Sequence, residues 1–143
     1  MHQALSRLSV YVVEDSPLVL RRLVALIESG GLAQVVGTSD VAISALLDIP
    51  ALAPDVVLVD LHLRDGSGMD VIAGLTGTGC KATKIVLTNH ANPAVRQAAR
   101  AAGADYFYDK TAEFMLAVRT IGDIARDRIA GLSGHTDRGL RNV

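Results

Sequence analysis

A single cysteine, Cys80, rules out an internal disulfide and cannot form half of a cysteine-pair metal motif. Nowhere do apolar residues run uninterrupted for the roughly 18 positions that a membrane helix requires. Net charge is only −1 at neutral pH, so the basic footprint expected of a nucleic-acid binder is missing. Arg7 near the start is not followed by an apolar segment and a small-residue cleavage site, so no signal peptide is read there and a cytoplasmic location is expected. No internal repeat is present. What is there is ordinary soluble material: 143 residues, 50% apolar and 20% charged, enough for one domain with a core of its own.

The most informative stretch is 56–63, Val-Val-Leu-Val-Asp-Leu-His-Leu. Four apolar residues, three of them β-branched, read as a strand buried on both faces. A charge cannot follow far inside such a strand, so Asp60 should stand at its carboxyl end. That is where open α/β sheets place their ligand crevice. Two further strand-like runs end in chemically useful side chains: Leu8–Val13 in Glu14-Asp15, and 84–87 in Thr88.

Between these runs lie helical signals. Ser16-Pro17 and Asn92-Pro93 each pair a capping side chain with a proline in the first turn, where its missing N–H costs nothing. Gly30-Gly31 and Gly103 are helix stops. Ser39 or Asp40 is expected to cap a second helix containing Ile43, Leu46 and Leu47, with Pro50 and Pro54 framing the loop that follows. A short third helix is expected around 69–75, fraying among Gly77 and Gly79. The fourth helix should bury Val95, Ala98, Ala99 and Ala102. A last helix is expected over about 112–130, with Phe114, Ala117, Val118, Ile121 and Ala125 inward. Gly122 inside it suggests close packing, since Gly costs about 1 kcal/mol there relative to Ala. Strands at 33–38, 82–87 and 104–108 complete the set. The domain is expected to span 1–131 and residues 132–143 to form a mobile tail.

Five strands alternating with five helices predict an α/β fold, a flavodoxin-like doubly wound parallel sheet, whose common strand order is 2-1-3-4-5. In that order the first and third strands are neighbours, and Glu14, Asp15 and Asp60 converge on one crevice. Three carboxylates so placed repel one another unless protonated or bridged by a cation. Hard oxygen donors without histidine or cysteine ligands suit Mg²⁺, which keeps waters for a phosphate. Lys110, after the fifth strand, can add positive charge, and the Thr88 hydroxyl can donate to a phosphoryl oxygen. An Asp carboxylate can itself be a nucleophile that forms an acyl phosphate. Taken singly, each residue has an ordinary alternative: strand-ending Asp60, helix-capping Asp15, strand-forming Thr88, solvated Lys110. Their placement together at successive strand ends supports phosphoryl transfer onto Asp60.

These residues resemble the receiver domain of bacterial two-component response regulators, over nearly the whole chain. The motifs that carry the resemblance are Val-Val-Glu-Asp-Ser-Pro at 12–17, Val-Leu-Val-Asp-Leu-His-Leu at 57–63, Asp-Gly-Ser-Gly at 65–68, Ile-Val-Leu-Thr-Asn at 85–89 and Ala-Gly-Ala-Asp-Tyr-Phe-Tyr-Asp-Lys at 102–110. The resemblance implies that Asp60 is phosphorylated by a histidine kinase or phosphotransfer protein. It implies that Glu14, Asp15, Asp60 and the backbone carbonyl of His62 hold Mg²⁺. It makes Thr88 the switch hydroxyl, Phe107 the switch aromatic and Lys110 the phosphate-contacting lysine. It also makes the side chains of His62 and His90 candidates for setting how fast the acyl phosphate is lost, by crowding the attacking water.

Three positions depart from the frequent pattern: Arg64 where proline is common, Thr111 after the lysine, again where proline is common, and Phe107 in place of tyrosine. Few residues follow the last helix, so a stand-alone receiver is expected, signalling through protein contact or homodimerisation, with no direct role for nucleic acid or membrane. The fourth helix, fifth strand and fifth helix, with Tyr106 and Tyr108, form the expected output face. Two other families share parts of the pattern. An aspartyl-nucleophile phosphatase of the haloacid dehalogenase type shares Asp60 and Mg²⁺, but usually has a second Asp where His62 stands. A flavodoxin-like FMN protein needs a phosphate loop where Glu14-Asp15 would repel it. A third alternative is a receiver-like interaction module that works without phosphorylation.

Overall fold

The computed structural model describes residues 6–132. β1 (Leu8–Val13), β2 (Ala33–Ser39), β3 (Val56–Val59), β4 (Thr83–Thr88) and β5 (Tyr106–Asp109) form one parallel sheet in the order β2-β1-β3-β4-β5. The helices are α1 (Pro17–Glu28), α2 (Ala42–Leu52), α3 (Gly68–Gly77), α4 (Pro93–Ala102) and α5 (Phe114–Leu132). Every residue of β3 is buried, as its β-branched composition requires of a central parallel strand. Two apolar layers sandwich the sheet. One joins Tyr11, Val57, Val59 and Val86 to α2, α3 and α4, and the other joins Val10, Val12, Leu58 and Ile85 to α1 and α5.

Register builds the crevice. Val13 pairs with Val59, so Glu14 and Asp60, the next residues, leave the sheet side by side. The Asp60 N–H donates to the Val13 carbonyl at 2.9 Å, and the Lys110 N–H to the Thr88 carbonyl at 2.8 Å. Each strand therefore hands its functional residue to the rim with the backbone still hydrogen-bonded.

Both Ser-Pro and Asn-Pro signals act as expected: Ser16 Oγ accepts from the Val19 N–H and Asn92 Oδ1 from the Val95 N–H. Other expectations shift. Pro50 lies inside α2 rather than in the loop after it, and the helix is capped by Ala53 in the left-handed region. No side chain caps α2; Val41 holds the cap position, and Ser39 Oγ accepts from the Val41 N–H. The buried face of α2 is Ala42, Ala45 and Ile49, while Ile43 and Leu47 are 63% and 69% exposed. α3 does not fray early but extends to Gly77, and on α4 Ala98 is exposed, leaving Ala99 as the buried residue. β5 begins at Tyr106 rather than 104.

α5 starts at Phe114 and reaches Leu132, so the expected boundary at 131/132 falls within the helix. The rest of the expected tail, 133–143, lies outside the described residues. Gly122 is not explained by close packing: a Cβ there would meet only the Arg126 guanidinium, at 3.4 Å. Gly68 is different, because a Cβ on it would overlap the carbonyl oxygen of Asp60. Among the described residues every peptide bond is trans, Lys110–Thr111 included.

Candidate functional site

Glu14, Asp15 and Asp60 each bring a carboxylate oxygen within 4.8 Å of the others at the carboxyl ends of β1 and β3. Lys110 reaches in from beyond β5. Its Nζ donates to Asp60 Oδ2 at 2.8 Å and to Glu14 Oε1 at 2.9 Å. Asp60 is 6% exposed and Glu14 3%, so this ammonium is the counter-charge that lets two buried carboxylates coexist. Three carboxylates against one ammonium still leave the crevice acidic when all are ionised.

Burial pushes the Glu14 carboxyl above its ordinary range, and the Lys110 bond and the Ser16 N–H on Oε2 only partly offset this. For Lys110 burial works against the charge, but the bonds to Asp60 and Glu14 outweigh it and the ammonium is held more firmly than usual. Both oxygens of Glu14 are thus engaged within the protein. Asp15, half-buried, has no hydrogen-bond partner among the described residues, so its oxygens are free to coordinate a cation. An all-oxygen set around a buried carboxylate, with one donor unengaged, fits a hard divalent ion such as Mg²⁺.

The remaining oxygen of Asp60, Oδ1, accepts from the His62 N–H at 3.2 Å. Thr88, fully buried, does the same in the next loop: its Oγ1 accepts from the His90 N–H, also at 3.2 Å. The two histidine rings therefore rise from matching turns at the mouth, both exposed, with centroids 5.5 Å apart and planes at 68°. All five polar residues read from strand ends are brought together.

Phe107 is buried, 8% exposed, and packs with the layer formed by α2, α3 and α4. Arg96 of α4, which sequence reasoning missed, lies over its ring at 4.7 Å and donates from Nη1 to the Phe107 carbonyl at 3.2 Å. An arginine one residue from the expected apolar face was the only signal, since its stem can lie on apolar surface. Arg64, also unassigned in the sequence, pairs with Asp40 through Nε and Nη2 at 2.9 and 3.3 Å. It ties the loop after β3 to the loop after β2. Tyr108 is not on an exposed face: it is buried, stacked on Tyr106, with its hydroxyl 2.6 Å from Thr120 Oγ1.

Residues 10–119 match the family model described as the response regulator receiver domain. The chain belongs to that family. Among curated relatives, this receiver is 29% identical over 119 residues to the DNA-binding transcriptional activator DevR/DosR of Mycobacterium tuberculosis, covering 83% of the present chain and 55% of that protein. It is 37% identical over 102 residues to the transcriptional regulatory protein KdpE of the same species, covering 71% and 43% respectively. The chain thus spans about half the length of the curated relatives it matches. Among solved structures, the signal receiver domain of M. tuberculosis NarL superposes with a TM-score of 0.77 at 28% identity, covering 84% of this chain and 97% of that one. The response regulator domain of Thermotoga maritima CheB shares the fold at TM-score 0.73 and 21% identity, covering 85% and 95%. Receiver domains are signalling phosphoacceptors that interact with histidine kinases and bind Mg²⁺ through an acidic pocket; here the acidic cluster is Glu14, Asp15 and Asp60. No helix among the described residues is long and apolar enough to cross a membrane.

Proposed function

We propose that Asp60 is the phosphoryl acceptor of this receiver, served by the phosphohistidine of a histidine kinase or phosphotransfer protein. The observation that carries this reading is a buried carboxylate at the end of the central strand, held between Lys110 and the His62 N–H with two further carboxylates alongside. An oxygen of Asp60 attacks phosphorus, the P–N bond breaks, and the leaving imidazole retains the bonding electrons, giving an acyl phosphate. Asp15 and Asp60, with Glu14 and the His62 backbone carbonyl, would hold Mg²⁺, whose charge offsets that of the transferring group. Lys110 keeps the acceptor oriented and then meets a phosphoryl oxygen. The Thr88 hydroxyl exchanges its bond to the His90 N–H for one to the phosphoryl group. Movement of Thr88 opens space for Phe107, which passes the change to α4, β5 and α5, and output follows through contact with another protein or a second copy of the chain.

The side chains of His62 and His90 crowd the water that would attack the acyl phosphate, so alanine at either position should shorten its lifetime. The receiver is taken to act in the cytoplasm.

Asp60→Asn keeps the shape of the acceptor and removes its nucleophilic charge. Intact mass after incubation with acetyl phosphate and Mg²⁺ should show one added phosphoryl group in the wild type, and none in Asp60→Asn or in excess chelator. A mass shift that survives Asp60→Asn would overturn the assignment.

A further inference from the structure

We propose that His62 and His90 form a second, separate metal site at the crevice mouth, selective for a borderline divalent ion of the Zn²⁺ type. Two exposed imidazoles meet edge to face across the gap between the loops after β3 and β4, with ring centroids 5.5 Å apart. Zn–N bonds of about 2.0–2.1 Å put the metal about 3.2 Å from each ring centre, so two imidazoles at the tetrahedral angle have centroids about 5 Å apart. The observed 5.5 Å is close to that requirement. The 68° between the ring planes is no obstacle, because each ring can rotate about its metal–nitrogen bond.

Neither ring spends a nitrogen on another group among the described residues; the hydrogen bonds of both histidines run through the backbone N–H. Those backbone bonds, to Asp60 Oδ1 and Thr88 Oγ1, hold the two turns that carry the rings before any ion arrives. The donor chemistry separates this site from the carboxylates below it. Imidazole suits Zn²⁺, Cu²⁺ and Ni²⁺, whereas carboxylate and carbonyl oxygens suit Mg²⁺. Two protein ligands leave the other positions to water, and among the described residues no carboxylate is hydrogen-bonded to either ring, so the site is reversible rather than structural. An ion there bridges the turns that carry Asp60 and Thr88 and sits across the approach to the acceptor. Binding should therefore close the crevice to phosphoryl donors.

The site stands without the phosphoacceptor reading, and its test begins there. Zn²⁺ is titrated into the unphosphorylated chain in a phosphate-free buffer containing saturating Mg²⁺, followed by calorimetry and by the ring resonances of His62 and His90. His2 and His135 are replaced by Gln throughout, so that the other histidines cannot hold the ion. One Zn²⁺ should bind with both rings shifting together. His62→Ala or His90→Ala should each weaken binding at least tenfold, and Asp15→Asn should leave it unchanged. Equal affinity in the double His62→Ala/His90→Ala variant, or loss in Asp15→Asn, would overturn the proposal by placing the ion elsewhere. In a second arm, Zn²⁺ should slow phosphorylation by acetyl phosphate in the histidine-bearing chain and leave the double variant unaffected. Equal slowing in both would overturn the closure.

Discussion

At the scale of single residues, the crevice is a problem of charge that Lys110 settles. Glu14 titrates above its ordinary value of 4.5, chiefly through burial, so its ionisation weakens the fold as pH rises from that value through the raised one. Lys110 titrates above its ordinary 10.5, so its contribution is complete below that pH and disappears as pH climbs through the folded value. Lys110→Met removes the hydrogen bond that opposes the effect of burial on Glu14. In metal-free buffer the Glu14 carboxyl of the variant should titrate higher still, and its urea midpoint should fall more steeply than the wild type's from pH 4.5 to 7. Above pH 10 the wild type should lose stability that the variant never had. Carbon-13 titration of Glu14 that is unchanged by Lys110→Met would refute the coupling. The placement of Glu14, Asp15, Asp60, Thr88 and Lys110 was legible in the sequence because each stands at or just beyond the end of a strand-like run. Their pairing was not. Lys110 lies 96 residues from Glu14 and 50 from Asp60, and strand order alone does not say which oxygen a long side chain reaches.

At the scale of elements, α2 marks where periodicity misled. Apolar residues occupy nearly all of it, so Ile43, Leu46 and Leu47 look like one face as plausibly as Ala42, Ala45 and Ile49 do. The sheet surface decides: small Ala42 and Ala45 let the helix approach Tyr11 and Val57, and Ile49 fills the remaining space. Pro50 was misplaced for a related reason. A proline inside a helix removes one i→i−4 hydrogen bond and crowds the turn before it, yet α2 continues through Pro50 for two residues before it ends. Ile49→Ala should lower stability by about 2–5 kcal/mol, whereas Leu47→Ala should change it by no more than about 0.5 kcal/mol. Urea unfolding of the two variants measures the difference, and equal losses would mean that the helix is turned the other way. Arg96 belongs to this scale too. Its guanidinium joins α4 to β5 across Phe107, a contact set by how the helix rotates on the sheet and invisible in either segment alone.

At the scale of the whole molecule, the two ends of the sheet have separate tasks. The carboxyl ends carry the crevice. At the amino ends, Asp55 accepts from the Ser9 N–H and hydroxyl and from Arg128 Nη1, at 2.8, 3.0 and 3.0 Å. Arg128 also donates to the Arg7 carbonyl at 3.4 Å and from Nη2 to Ser6 Oγ at 3.3 Å, which fastens the last turns of α5 beneath β1 and β3. The four residues of β3 lie between Asp55 and Asp60, which are thus five rises apart, about 16 Å at about 3.3 Å per residue. Stability and phosphoryl chemistry should therefore part company on truncation. A chain ending at Leu132 keeps every one of these contacts and serves as the reference. A chain ending at Asp127 loses Arg128; because the Arg128–Asp55 pair is partly exposed, the loss from that pair should be about 1 kcal/mol. Removing the last helical turn adds to it. Well below the unfolding midpoint, however, that shorter chain should still be phosphorylated on Asp60 at the rate of the chain ending at Leu132, since Lys110, Glu14 and Asp15 are untouched. A rate that fell in step with stability would show instead that the clasp beneath the sheet helps to hold the crevice in shape.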